Sequence, residues 1–163
     1  YARENNVAFL GICLGMQCAV IEFGQNVLKL DDAHSTEIKP EPTNPVIDIM
    51  EEQKEVKDKG GTMRLGAYPA KLKKGTQAHS LYKKDRIEER HRHRYEVNDE
   101  YRELLQEHGM VMSGINPDRN LVEIGELKDH PFFLGTQFHP ELKSHPLKPH
   151  PLFQEFIRAC IQK

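Results

Sequence analysis

Cys13 stands between two glycines in Gly11-Ile12-Cys13-Leu14-Gly15, directly after the apolar run Val7-Ala8-Phe9-Leu10 and directly before the apolar stretch Met16–Phe23. The first run reads as a short buried strand and the second as a helix. Strand, Gly-x-nucleophile-x-Gly, helix is the pattern of a nucleophile elbow. Such a turn is so sharp that neighbouring side chains would collide, and Gly11 and Gly15 each remove a Cβ from the crowd. Cys13 is then expected in a strained backbone state with its sulfur aimed outward. It sits at a helix N-terminus, where the positive end of the dipole favours a thiolate. The Leu14 backbone N–H would face a developing oxyanion. The competing reading of Cys13 is a buried thiol that packs as a small hydrophobe. Cys18 and Cys160 have no glycine frame, lie inside helical patterns and are expected to pack.

A thiol nucleophile needs a proton acceptor, and the acceptor needs orienting. His139-Pro140-Glu141 follows the Phe-rich run Phe132–Phe138, which reads as a buried strand. Ligands gather beyond the ends of such strands. Two positions apart on an extended segment, His139 and Glu141 face the same side, so the carboxylate can fix the imidazole tautomer. Coupled to Cys13 this is a Cys-His-Glu triad; the alternative is two surface-loop residues. His91-x-His93 has zinc-ligand spacing on a strand, but no acidic or Cys ligand lies near enough in sequence to complete a site. In an extended Glu88–Asn98, Arg90, Arg92 and Arg94 line one face and His91, His93 and Tyr95 the other. One such arginine could hold a small-molecule carboxylate.

These groups need a scaffold. The 163 residues carry a formal net charge of −2, which gives no bulk drive toward nucleic acid. The length suits one domain with a real core. No apolar run reaches membrane-spanning length, and three cysteines within helices suit a reducing cytoplasm. The pattern predicts strands at Val46–Met50, Thr62–Tyr68 (continuing through Ala70–Leu72), Met110–Ser113 and Leu121–Ile124. It predicts helices at Asp99–His108 and Leu152–Gln162 and one helical turn at Ser80–Lys84. Asp31–Glu37 reads as polar turn, Lys39–Pro45 and Lys143–Pro151 as proline-rich loop, and the charge run Glu51–Lys59 as solvated loop or fraying helix. The last helix is expected to bury Leu152, Phe153, Phe156, Ile157, Cys160 and Ile161. An elbow strand normally has earlier strands beside it. With six residues before Val7, the chain is expected to be part of a longer polypeptide.

Gly11–Gln17 together with Phe138-His139-Pro140-Glu141 resembles the class I (triad) glutamine amidotransferases. Asp32–Glu37, Gly60–Gly66, Glu89–Asn98 and Asp129–Phe133 are similar to the amidotransferase domain of CTP synthases, in that family's order and over nearly the whole chain. The resemblance implies a three-layer, flavodoxin-like α/β domain over residues 1–163, with a central, mostly parallel sheet and without its N-terminal part. It implies that Cys13 forms a glutamyl thioester, that His139 shuttles protons and that Glu141 orients it. Leu14, Gly15, Met16, Gln17, Glu37 and Arg94 are implied as glutamine-binding, Glu37 for the α-ammonium and Arg94 for the α-carboxylate. The ammonia would pass to a synthetase domain that aminates UTP with ATP and Mg²⁺, GTP acting as activator, in a homo-oligomer, a tetramer in the full-length family. No cofactor or metal is implied for this chain itself. His34 stands where the family usually has Asn, and Ile38 and Leu142 where it has Phe. A glycine-rich loop preceding the elbow supplies the family's second oxyanion donor. Other readings are another class I amidotransferase, a related cysteine hydrolase, or a non-catalytic binding or assembly module of the same fold.

Overall fold

The computed structural model describes residues 1–49 and 63–162; Met50, the charge run Glu51–Lys59, and Gly60, Gly61 and Thr62 lie outside them. The chain runs β1 (Phe9–Ile12), α1 (Leu14–Asn26), β2 (Ala33–Ser35), β3 (Asn44–Ile49), β4 (Arg64–Leu72), α2 (Gln77–Tyr82), β5 (Arg86–His93) and β6 (Tyr95–Val97). A 3₁₀ turn at Asp99–Tyr101 leads into α3 (Arg102–Glu107). Then follow β7 (Met110–Ile115), β8 (Val122–Leu127), β9 (Phe133–Thr136), a 3₁₀ turn at Pro140–Lys143 and α4 (Pro151–Ile161).

Six strands form the main sheet in the order β1-β9-β8-β7-β4-β5, and β2-β3-β6 form a smaller one. Side chains alternate across the main sheet, so Phe133 and Leu134 enter opposite layers. One layer joins Met16 and Val20 of α1, Leu105 of α3 and Met110, Met112 and Val122. The other joins Ala78 of α2 and Leu152 of α4 to Ala70, Leu72, Ile124 and Phe132. The three-layer α/β expectation holds, but the sheet is mixed rather than mostly parallel. Within the main sheet only β1·β9 is parallel among the described strands, and the other pairs are antiparallel. The reason is local: Asn116-Pro117-Asp118 turns β7 straight back into β8, and so short a connection can join only antiparallel neighbours. Among the described residues no helix is long and apolar enough to cross a membrane.

The elements themselves differ from the sequence pattern in instructive places. Ala33–Ser35, read as turn, is a strand paired with β3. The predicted Thr62–Tyr68 and Ala70–Leu72 meet in one strand, Arg64–Leu72, that runs through Pro69; Thr62 lies outside the described residues. The charged stripe Glu88–Asn98 is split: β5 alternates exposed Arg86, Glu88, Arg90 and Arg92 with buried Ile87, Glu89, His91 and His93, and the chain then bends at Arg94 into the other sheet.

Two cysteines sit on the wrong side for packing. Cys18 is exposed, because α1 buries Met16, Gln17, Ala19, Val20 and Phe23 and turns position 18 outward. Cys160 is exposed too: α4 packs through Leu152, Phe156 and Ala159, leaving Ile157 and Ile161 in solvent.

Candidate active site

The parallel pairing of β1 with β9 builds the site. Ile12 lies opposite Thr136, and the Cys13 N–H donates to the Thr136 carbonyl at 2.6 Å. Cys13 and Gln137 therefore emerge side by side, with His139 two residues farther on. Cys13 caps α1 with φ 51° and ψ −105°, a strained state for a residue with a Cβ. Gly11 is required: a Cβ there would lie 2.7 Å from the Gly15 carbonyl carbon and 2.8 Å from Phe9. Gly135 is equally constrained, since a Cβ would lie 2.8 Å from Met16, which packs α1 onto β9. Gly15 is different. A Cβ there would meet no described atom within 4 Å, so its absence of side chain is not explained by crowding of Cys13.

His139 Nδ1 lies 2.6 Å from Glu141 Oε1. The pair forms across the 3₁₀ turn at Pro140–Lys143 and not along an extended strand. The carboxylate accepts, so Nδ1 carries the proton and Nε2 is left as the basic nitrogen. That Nε2 is buried and has no hydrogen-bond partner among the described residues. The Cys13 thiol is pushed up, chiefly by burial and also by Glu96, Glu37 and Glu141; the Leu14 N–H pulls the other way. The dipole argument for a resting thiolate is therefore outweighed here by desolvation and three carboxylates.

Cys13 opens into a cleft of about 270 Å³ lined by Leu14, Gln17, Glu37, Arg92, Arg94 and Tyr95, with Ile38, Met63 and His93. Glu37 and Arg94 thus supply opposite charges to one small space. Gln17 is buried, donates to the Tyr95 carbonyl at 3.0 Å, and keeps its Oε1 without a partner among the described residues. Gly15 and Met16, also implied as substrate contacts, are not among the residues that line this cleft. The Met16 side chain is in the core and its N–H bonds the Cys13 carbonyl. Gly15 borders a separate apolar hollow with Tyr1, Phe9, Cys18 and Phe133. His34 bonds its neighbour's backbone through Nδ1 and does not border the cleft. Volume does not choose the site: a hollow of about 730 Å³ around Glu88, Glu89 and Lys143 is lined by no cysteine among the described residues.

The sequence reading missed what lies behind this cleft. Arg64 is wholly buried and bonds Glu96 at 3.2 Å and Glu123 at 2.6 Å. His91 and His93 join them, with His91 Nδ1 2.9 Å from His93 Nε2. Burial and the Arg64 charge hold His91 down at about 2 and His93 at about 3, so both imidazoles are neutral. Burial pushes the Glu96 and Glu123 carboxyls up, against the pull of Arg64. This arrangement engages the two histidines with each other, with Glu123 3.6 Å from His91 Nδ1 and Glu96 3.4 Å from His93 Nδ1. Among the described residues no group of three or more His, Cys, Asp or Glu side chains is placed to hold a metal ion.

A strained cysteine, a carboxylate-held histidine at the next strand end and a cleft of opposite charges can be compared with known proteins. The family described as glutamine amidotransferase class-I matches residues 1–159. The chain belongs to that family. Within class-I amidotransferases it is similar to CTP synthases, with 61% identity to that of Caldanaerobacter subterraneus subsp. tengcongensis over 161 residues, 99% of this chain. It is 62% identical over 160 residues to the CTP synthase of Cytophaga hutchinsonii. The chain spans 30% of the length of each of these relatives. Among solved structures, the Trypanosoma brucei CTPS glutaminase domain with bound acivicin superposes with a TM-score of 0.91 at 39% identity, covering 99% of this chain and 63% of that one.

Proposed function

We propose that this chain is the glutaminase part of a CTP synthase, hydrolysing L-glutamine through Cys13, His139 and Glu141 to supply ammonia for ATP-dependent amination of UTP. The observation that carries it is the strained Cys13 and the Glu141-held His139 on adjacent parallel strand ends, beside a cleft bearing Glu37 and Arg94. Its similarity to CTP synthases and to a CTPS glutaminase domain supports the substrate class.

The chemistry follows from the atoms. Glutamine lies in the cleft with its α-ammonium toward Glu37 and its α-carboxylate toward Arg94. His139 Nε2 takes the Cys13 thiol proton as sulfur attacks the side-chain carbonyl carbon. Because burial favours the protonated thiol, removal of that proton by Nε2 is a required part of the attack. The Leu14 N–H faces the oxyanion. The imidazolium then protonates the leaving nitrogen, which departs as ammonia and leaves a glutamyl thioester. Water, deprotonated by Nε2, cleaves the thioester and releases glutamate. Glu141 stabilises each imidazolium through Nδ1–H. UTP, ATP, Mg²⁺ and the activator GTP would be engaged by the full-length protein.

Arg94→Ala tests the substrate assignment in the full-length protein. Loss of a charged carboxylate contact should raise the KM for glutamine by about 10- to 100-fold, with kcat changed far less. Steady-state kinetics with glutamine and with free ammonia separates the cases. An unchanged glutamine KM would remove Arg94 from the site and, with it, glutamine as the occupant of this cleft.

A further inference from the structure

Gln137 carries the next inference, which rests on Cys13 being the nucleophile. Its side chain is fully buried and its Nε2 lies 3.6 Å from Cys13 Sγ. Its backbone N–H donates to the Glu123 carbonyl at 2.9 Å, which fixes it in the bend directly after β9.

The direction of the hydrogen bond is set by chemistry. The Tyr95 carbonyl can only accept, so the end of the Gln17 amide that faces it at 3.0 Å is the NH₂. That same nitrogen lies 3.3 Å from the Gln137 amide, so the Gln137 atom facing it is the oxygen. What remains to Gln137, on the side of the sulfur, is its own NH₂. A backbone carbonyl at the start of β6 thus dictates, through two amides, that Cys13 receives a donor.

We propose that Gln137 is a catalytic residue of this site: a buried, orientation-locked amide that donates to the Cys13 sulfur and favours its thiolate form as the thiol gives up its proton. The need for it is visible in the surroundings. Glu96 after the bend into β6, Glu37 after β2 and Glu141 on the 3₁₀ turn all hold the proton on sulfur, as does burial. Arg92, His93 and Arg94 border the cleft. Directly against the sulfur stand two donors, the Leu14 N–H and Gln137 Nε2. The Leu14 N–H must turn to the oxyanion as the carbonyl is attacked, whereas Gln137 lies outside the cleft lining and stays with the sulfur.

The test is the pH profile of alkylation by chloroacetamide, a small neutral electrophile that does not need the glutamine cleft. It is read peptide by peptide by mass spectrometry on the full-length protein. Exposed Cys18 on the same helix serves as internal reference. Gln137→Glu, which places an acceptor against sulfur, should move the Cys13 midpoint up by about one pH unit and slow Cys13 alkylation at neutral pH about ten-fold. Gln137→Met, similar in shape and without a donor, should shift it the same way by less. Cys18 should alkylate unchanged in both. If Gln137→Glu does not fold, Gln137→Met carries the test. An unmoved Cys13 profile in the folded variants, with Cys13 reactive in the parent, would overturn the role of Gln137 alone. A parent Cys13 that does not react at all would overturn the nucleophile assignment and this inference together.

Discussion

Cys13→Ala is expected to end glutamine hydrolysis, lowering kcat by about 10⁴-fold or more, because no other group in the cleft can form the thioester. Cys18 and Cys160 cannot substitute, since both face solvent on the outer sides of their helices. Amination supported by added ammonia in the full-length protein should persist, which separates a lost nucleophile from a collapsed fold. The elbow adds a second, opposite effect. Cys13 holds φ 51° and ψ −105°, a conformation costly for any residue with a Cβ and relaxed for glycine. Cys13→Gly should therefore be as inactive as Cys13→Ala yet more stable than it by about 1 kcal/mol, read from paired denaturation curves. Equal stabilities would mean that the elbow stores no strain.

Arg64→Met is expected to cost about 3–5 kcal/mol of stability at neutral pH. The guanidinium is the only cation within hydrogen-bond reach of Glu123 and Glu96 among the described residues, and His91 and His93 are held neutral beside them. Removing it leaves two buried carboxylates without their main counter-charge, Glu96 keeping only the weaker pull of Arg119 and Glu123 a hydrogen bond from Asn116. The sign with pH is fixed by the direction of their shifts. Both carboxyls titrate above their ordinary value when folded, so between the unfolded and folded pKa the folded state binds more protons. Their contribution is favourable in acid and is lost as pH rises through the folded pKa. Without Arg64 the shifts grow, so the deficit against the parent should be small near pH 5 and widen toward pH 8. Adding Glu123→Gln should recover part of it. Urea unfolding of the parent, single and double variants at the two pH values measures this; a deficit independent of pH would show that Arg64 acts through packing, including its place 4.4 Å above the Tyr68 ring, and not through charge.

The elbow was readable because its physics is local: Gly11 must lack a Cβ for the turn to close, and the sequence shows that directly. The His139–Glu141 contact was readable from two-residue spacing, although a 3₁₀ turn and not a strand delivers it. The facing of Cys18 was not. α1 is apolar almost all round, so periodicity cannot say which side meets the sheet, and only the packing of Met16 on Gly135 decides it. Cys160 was missed for a related reason: α4 presents a wider apolar arc than the core accepts. The antiparallel sheet needs the β7–β8 turn to be weighed above the α/β prior. The Arg64 cluster had a partial signal in the buried phase of β5, where Glu89, His91 and His93 alternate with exposed residues. Its completion by Glu123, fifty-nine positions from Arg64, is a long-range event with no local trace. Gln137 was hidden in plain sight as one polar residue in a Phe-rich strand.

The most direct measurement is peptide-resolved mass spectrometry after exposure to an electrophilic glutamine mimic, with and without excess glutamine. By exposure alone, Cys18 and Cys160 should react first and Cys13, half-buried with its thiol pushed up, last. The account predicts the reverse: one adduct on Cys13, prevented by glutamine and slowed by His139→Ala, with the two exposed cysteines unmodified. Label on Cys18 and Cys160 in proportion to their exposure, with Cys13 untouched, would contradict it.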